Sequence, residues 1–366
     1  MSAACPHLPL IVLPSNNLVR AVSRPAEPVE AALRTAVAAL EGLHTELLNP
    51  RGARPEPLRD ALETAVQAAA RLAALARVEP MDATALTPIV PNHTYFGVRT
   101  ADIDDARLVS ETTAIIARAL ADLRIARLSL NQQAAEVLAM VQVLNGLAPQ
   151  DAERDHASPT APAGPVDLEP GDDELTRWVI THHFYFVLNL AAAESVTRAL
   201  DRHREGETEA TRDALREAAV YVRAFTAAMM HSGDMSAPCY DAEVRPTMSP
   251  PAVPAALTGR TQPEHKAFRK AMRTLARTWT DSFDKLAANA PEVALARDSL
   301  LEADLQDIEQ HITITAALVG DDSSIIQASD AAGSAIAMLR TMRHTRAEQY
   351  RPLMRFGDNV TLLATD

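Results

Sequence analysis

Most of this chain consists of long stretches in which alanine, leucine, glutamate and arginine recur at the spacing of an α-helix. This pattern constrains the fold most strongly. Residues 28–48 and 57–78 are the first two, and Asn-Pro-Arg-Gly at 49–52 predicts a turn between antiparallel helices. Aromatic residues make up 4% of the chain and glycines number only 12, whereas 47% is hydrophobic. This composition favours helix over sheet and predicts an all-α protein with a substantial core.

The same periodicity predicts further helices over residues 103–130, 131–147, 173–204, 207–231, 263–290, 292–319 and 324–346. Residues 148–173 mix prolines with acidic and small residues, a composition that cannot build a core and that predicts a linker or surface loop. Residues 232–262 are also rich in proline and predict an ordered, irregular loop between helices. We therefore expect an N-terminal helical region (1–147), a linker (148–173) and a helical core (174–366).

Charge and cysteine content exclude several classes of protein. The net charge of −13 argues against nucleic acid as a partner, because phosphate binding requires a basic surface. Cys5 and Cys239 are too few for a disulfide framework or a cysteine metal site, and they suit a reducing cytoplasm. No apolar run approaches the length of a membrane span, and residues 8–13 predict a short strand or extended packing segment, not a signal peptide.

His311 is a candidate metal ligand in the helix predicted over 292–319. On a helical period it shares a stripe with Ile308, Thr315 and Leu318, whereas Asp307 is expected to lie largely elsewhere. A helix that ends at Gly320, nine residues later, would present one imidazole nitrogen to an iron in an apolar slot. A buried histidine of the core is the alternative, and it is the commoner arrangement for a lone histidine on an apolar face.

The most aromatic segment covers residues 177–190. Trp178, His182, Tyr185 and Asn189 fall on one helical stripe, where the rings would form flat walls and His182 would donate or accept a proton. Adjacent His183 points about 100° away on a helix, as expected for a structural residue. An aromatic-rich core helix without a ligand is the alternative.

Arg245 precedes Pro246, which holds the arginine backbone extended, and a guanidinium on such a support suits bidentate capture of a carboxylate. An arginine that ties down loop carbonyls is the alternative. Ser323 and Ser324 would either close over a ligand or cap helices. The chain has no glycine-rich phosphate loop and no Gly-x-Ser-x-Gly elbow.

In this order, the segments resemble the core of the heme-dependent aromatic oxygenases, a superfamily that includes tryptophan 2,3-dioxygenase, the rearranging enzyme of pyrrolnitrin biosynthesis and the heme-dependent tyrosine hydroxylases. The spacing of His311 and Gly320, the run Ile180-Thr181-His182, and the loop from Val244-Arg245-Pro246 to Thr258-Gly259 carry the resemblance, which covers residues 174–345. The Arg-Pro-x-Met-x-Pro-Pro form is closest to the tyrosine hydroxylase branch.

The chain also departs from these enzymes. Asp-Asp-Ser-Ser at 321–324 replaces the threonine-rich loop of tryptophan dioxygenase, which disfavours tryptophan ring cleavage. No cysteine lies four residues after His311, which disfavours a covalent thioether to the heme. Residues 1–147 have no counterpart in tryptophan dioxygenase, although an N-terminal helical extension of this scale resembles the pyrrolnitrin enzyme.

The resemblance implies a helical bundle of the tryptophan dioxygenase type that binds heme b non-covalently, with His311 as axial ligand of the iron. It implies oxygen insertion, from O2 or H2O2, into a tyrosine- or tryptophan-type L-amino acid in natural-product biosynthesis, by a dimer or tetramer. The implied site residues are His182 or His93 as the distal catalytic group; Arg245, Trp178, Tyr185, Phe186, Ser323 and Ser324 for the substrate; and Phe184 and Gly259 beside His311 for the heme. A heme-free helical binding protein and a heme-binding protein without turnover are the rival hypotheses.

Overall fold

The computed structural model describes residues 10–15, 25–49, 55–79, 81–148, 174–255, 257, 259–320 and 334–356, and these form an all-α fold, as predicted. The chain divides into two compact units, one from Ala4 to Val187 and one from Leu188 to Asp366 that also includes Met1–Ala3. No helix in the described ranges is long and apolar enough to cross a membrane. Ser323, Ser324 and nearly all of the predicted linker lie outside the described residues.

The first unit is built on five helices and the start of a sixth. They are α1 (Glu27–Leu48), α2 (Pro55–Leu75), α3 (Pro91–Tyr95), α4 (Asp105–Asp122), α5 (Leu130–Gly146) and α6 (Glu174–Arg204), which crosses into the second unit. Helix α1 packs on α2 and α5 through an apolar stripe of Leu33, Ala36, Leu40, Leu43 and Leu47, spaced three or four residues apart. Strands β1 (Ile11–Pro14) and β2 (Val98–Ala101) pair in parallel, with Ile11 opposite Val98.

The second unit contains α7 (Thr208–Ser232), the single turn α8 (Ala237–Cys239), α9 (Pro263–Thr278), α10 (Phe283–Asn289), α11 (Pro291–Val319) and α12 (Ala335–Tyr350). Helix α11 packs on α7, α10 and α12. At Gly233 an added Cβ would lie 2.1 Å from Cδ1 of Ile314, so a larger residue at the end of α7 would require the Ile314 side chain of α11 to move. A π-helical turn (Tyr240–Val244) and a 3-10 turn (Arg245–Met248) fill part of the irregular stretch expected after α7.

One predicted helix ends early and another is interrupted. The helix expected over 103–130 ends at Asp122, and the next begins after Ser129, whose hydroxyl accepts a hydrogen bond from the Gln132 amide in a capping box. The helix expected over 263–290 breaks after Thr278, because Ser282 caps a new helix by accepting from the amide of Lys285. In both places a serine N-cap outweighs the surrounding helical periodicity.

Candidate functional site

Five aromatic rings of the first unit, which we call the aromatic–histidine cluster, are His93, Phe96, Trp178, His182 and Phe186. Phe96 stacks on His182 with centroids 4.4 Å apart, and Trp178 lies 4.2 Å from the same imidazole. Phe186 meets Phe96 and His93 edge-on at 5.5 and 6.3 Å. The one-turn spacing of 178, 182 and 186 places these α6 side chains on one face, and the chain around α3 supplies the other two. The cluster thus joins both predicted catalytic histidines through intervening rings.

His182 is held as a neutral imidazole of defined tautomer. Its Nδ1 lies 2.6 Å from the carbonyl oxygen of Trp178, and since a carbonyl only accepts, Nδ1 must donate and Nε2 carries the lone pair. Burial lowers the pKa of His182 to about 4, with the Trp178 carbonyl opposing the shift. A half-buried, neutral imidazole with Nε2 as the acceptor is therefore present at pH 7.

His183 has a structural contact, as the sequence suggested. Its buried ring donates from Nε2 to the carbonyl oxygen of Phe96 at 2.6 Å, which ties α6 to the segment after α3. Burial lowers its pKa to about 4 as well. Of the other predicted aromatic residues, half-buried Tyr185 lies 6.4 Å from the His182 ring and Phe184 is packed in the core. The face of α6 that carries Trp178, His182 and Tyr185 is the more accessible one.

Arg245 follows the π-helical turn in the second unit. Its backbone is helical, with φ −55° and ψ −42°, because it begins the 3-10 turn, so the extended conformation expected before Pro246 is wrong. Its Nη1 donates to Oδ1 of Asp241 at 3.0 Å, and its side chain is largely buried. The predicted carboxylate receptor therefore has an acidic partner within its own loop. Gly259 opens an exposed 3-10 turn where a Cβ would meet nothing within 4 Å, so the local backbone has no requirement for glycine.

Next to His311 in the second unit lies a buried network of opposite charges, the acid–arginine network, formed by Arg269, Asp304, Arg346 and Tyr350. The Asp304 carboxylate accepts from Arg269 Nη1 at 2.5 Å, from Arg346 Nη1 at 3.3 Å and from the Tyr350 hydroxyl at 2.7 Å. Burial favours the neutral acid, but both arginines and these hydrogen bonds outweigh it, so the pKa of Asp304 is well below its usual range. One ionised carboxylate thus ties α11 to α9 and α12.

His311 lies two turns after Asp304 on the same face of α11, and its ring is half-buried. Burial, and secondarily the charge of Arg346, lower its pKa to about 4. Half-buried His265 on α9 is close enough to be influenced by His311, and burial and Arg269 lower its pKa to about 3. In the part of the chain that the structure describes, the His311 ring makes no hydrogen bond, so a neutral imidazole keeps a free lone pair.

Asp307 differs from its predicted position. It was expected off the face of His311, yet it lies one turn before that residue, is 9% exposed, and faces Asp304, Arg269 and Arg346. A spacing of four residues returns to nearly the same side of a helix, and this explains the difference. Burial raises the pKa of Asp307 to about 7, and its Oδ1 has no hydrogen-bond partner among the described residues. The environment of His311 is therefore charged, and not the apolar slot expected.

These residues fit a heme iron better than a bare metal ion. Among the described residues, no group of three or more histidine, cysteine, aspartate or glutamate side chains is arranged to hold a metal ion. An iron whose other donors come from a macrocycle requires only one or two protein ligands. The free lone pair of His311, with neutral His265 nearby, satisfies that requirement.

A protein-family model described as SfmD 3-methyl-L-tyrosine peroxygenase matches residues 17–296. The chain belongs to this family. The matched range includes His93, His182, Arg245 and His265, and it ends before Asp304 and His311. The family match therefore includes the residues of the aromatic–histidine cluster and does not extend to His311.

A curated relative in the same family, the 3-methyl-L-tyrosine peroxygenase of Streptomyces lavendulae, is 27% identical over 197 residues, which are 52% of this chain and 52% of the relative. The chain thus matches about half the length of that relative. A solved structure of reduced SfmD, soaked with sodium hydrosulfite, superposes with a TM-score of 0.50 over 83% of this chain and 97% of that one, at 19% identity. The likeness to this structure concerns the fold alone.

Sequence reasoning missed His265 and the acid–arginine network. A signal was present, because His265 and Arg269 are four residues apart, and Asp304, Asp307 and His311 follow at spacings of three and four. Ionisable residues repeating on one helix face mark either a solvated face or a buried network. The choice between them depends on α12, which lies far along the chain.

Proposed function

We propose that this protein is a heme-dependent oxygenase that inserts oxygen into a tyrosine-type L-amino acid, with hydrogen peroxide as the oxidant. The match of residues 17–296 to the SfmD peroxygenase family carries the proposal. The name of the curated relative supports an aromatic amino acid as substrate. Bound heme would supply the activation of peroxide, and the protein residues would supply binding, orientation and proton positions.

His311 would hold the iron, since its ring is neutral, half-buried and without a hydrogen bond among the described residues. The acid–arginine network would keep the ring oriented, because Asp304 joins α11 to both neighbouring helices two turns before His311. Thr315 occupies the position four residues after His311, where a cysteine thioether would be required. We therefore propose a non-covalent heme b.

The aromatic–histidine cluster would receive the aromatic ring of the substrate. Trp178 and Tyr185 present flat surfaces beside His182, and offset stacking between such rings is favourable. The Nε2 atom of His182 can accept a hydrogen bond from a phenol hydroxyl, because its tautomer is set by the Trp178 carbonyl. A phenol offers this donor, as does an indole N–H, so the choice of a tyrosine-type substrate rests on the family match.

Four further proposals come from the sequence. We propose, from the wider resemblance, that the chain is a member of the tryptophan dioxygenase-like superfamily and acts in natural-product biosynthesis. It also implies a dimer or tetramer. The small number of cysteines is consistent with a reducing cytoplasm.

The deciding experiment is an absorption spectrum of protein expressed with a heme precursor, before and after addition of L-tyrosine, 3-methyl-L-tyrosine and L-tryptophan. We expect a Soret band that shifts with the tyrosines, and a hydroxylated product when peroxide is added. A Soret band that responds to none of them would indicate a heme-binding protein without turnover. A colourless protein that gains no Soret band with hemin would refute the proposal and favour a heme-free binding protein.

A further inference from the structure

Arg343 is an unusual buried arginine in the second unit. It lies on α12, its side chain is 10% exposed, and its Nε contacts the carboxylate of Glu309 on α11. Its Nη1 is buried and has no hydrogen-bond acceptor in the described part of the chain. A buried guanidinium N–H without an acceptor is costly, so such a group is normally matched by a bound molecule or by the protein.

Several other buried arginines donate to oxygen atoms of the protein. Arg177 donates to Asp122 at 2.9 Å, and Arg297 donates to the carbonyl oxygens of Asp281 and Leu353 at 2.9 and 2.8 Å. Arg346, one turn after Arg343, donates to Asp304. Buried N–H groups without an acceptor among the described residues also occur elsewhere, at Nη1 of Arg118 and Nε of Arg297. Arg343 differs from Arg177 and Arg346 because its ion pair is with the partly exposed Glu309.

The charges around α11 and α12 favour an anion. Arg269, Arg343 and Arg346 bring three positive charges, whereas Asp304 and Glu309 bring two negative charges. Burial keeps Asp307 partly protonated near neutral pH, so its carboxylate offsets the surplus positive charge only in part. A planar guanidinium edge matches the geometry of a carboxylate, which accepts two parallel hydrogen bonds.

We propose that Arg343 binds the carboxylate of a ligand at the interface of α11 and α12, close to the helix face that carries His311. This inference rests on the proposed function for the choice of ligand, since both an L-amino acid and a heme carry carboxylates. Arg245 is the rival receptor, and it already donates to Asp241. Arg343 would thus be a binding residue that the sequence pattern did not indicate.

The test compares wild type with Arg343→Met, Arg343→Lys and Arg245→Met, with Arg340→Ala as a control on the exposed side of α12. Calorimetry measures the affinity for L-tyrosine and for tyramine, which lacks the carboxylate. Absorption titration measures the affinity for hemin and for hemin dimethyl ester. Circular dichroism confirms equal helix content, and Arg343→Lys keeps the charge while it removes the two-nitrogen edge.

We expect Arg343→Met to weaken binding of one carboxylate ligand at least tenfold and to leave its carboxylate-free analogue unchanged. Loss confined to L-tyrosine assigns the substrate carboxylate, and loss confined to hemin assigns a propionate. If folded Arg343→Met binds all four probes like wild type, or if wild type binds each ligand no better than its analogue, the proposal is wrong. Absence of any Soret band would refute the heme function alone, because the comparison of L-tyrosine with tyramine needs no heme.

Discussion

The two regions that contain neutral histidines reach the same protonation state by burial, but they differ in the groups around the ring. In the aromatic–histidine cluster, aromatic rings pack on His182, and backbone carbonyls accept hydrogen bonds from His182 and His183. At His311 the positive charge of Arg346 adds to the effect of burial on the pKa. The first environment suits an uncharged aromatic ring, whereas the second suits a metal and an anion. Burial alone therefore does not define what a neutral histidine does.

Replacing His311 tests the metal-binding side of this comparison and should have the largest effect. We expect His311→Ala protein to lose most of its heme, and its peroxide-dependent turnover to fall to background, because the iron loses the imidazole proposed to hold it. His344→Ala, at an exposed position of α12, should retain both. The pyridine hemochrome assay measures the heme content of each variant. An unchanged heme content and spectrum in His311→Ala would refute the assignment of His311 as the iron ligand.

Acid extraction of heme-loaded wild-type protein tests whether the heme is bound covalently. Non-covalent heme passes into the organic phase, while a thioether-bound heme stays with the protein. Thr315 at the fourth position after His311 leads us to expect complete extraction.

Replacing His182 and His93 separately distinguishes a reactive imidazole from a packing one. His182 is half-buried with an acceptor at Nε2, so His182→Ala should lower kcat by roughly 100-fold or more, as is usual for a general acid or base. His93 is fully buried and meets Phe186 edge-on, so His93→Asn should lower stability and leave kcat of the folded fraction within a few-fold. Loss of turnover in the His93 variant alone would reverse the two roles.

The acid–arginine network predicts a strong dependence on one carboxylate. Asp304→Asn would leave Arg269 and Arg346 without their ionised partner, and removal of one member of a buried ion pair costs about 3–5 kcal/mol. Glu63→Gln, which removes the exposed partner of Arg124, should change the free energy of unfolding by less than about 1 kcal/mol. Urea denaturation measures both, and similar values for the two variants would show that the network does not hold α11.

The sequence predicts the helices well where the apolar period is long and uninterrupted. Helices α1, α6, α7 and α11 begin and end within about two residues of their expected bounds, because amphipathic periodicity and proline or glycine at the ends act locally. The start of α5 at Leu130 was predicted, but the end of α4 at Asp122 and the break before Ser282 were not, since one serine cap is a weak signal within alanine-rich sequence. Local pattern therefore determines most of the secondary structure.

The residues of the candidate site are harder to predict from local sequence patterns. Trp178, His182 and Tyr185 share one helix face and were identified together, because their spacing is local. Asp304 meets Arg269 and Arg346 across 35 and 42 residues, a pairing that depends on how α9, α11 and α12 pack. Charged residues usually lie at the surface, so their sequence pattern alone gave no reason to expect burial.

The smallest predicted effect concerns Asp307, and it tests whether the environment of His311 is as dry as its burial suggests. Burial raises the folded-state pKa of Asp307 to about 7 from its ordinary value of 3.8, so the folded protein holds a proton that the unfolded chain releases. Stability from this group is therefore present at low pH and declines as pH rises from about 4 to about 7, by at most about 1.4 kcal/mol per pH unit. In Asp307→Asn this contribution disappears, so the variant should gain on wild type between pH 5 and 8. Chemical denaturation across that range measures the difference, and parallel curves for the two proteins would mean that water reaches the carboxyl group.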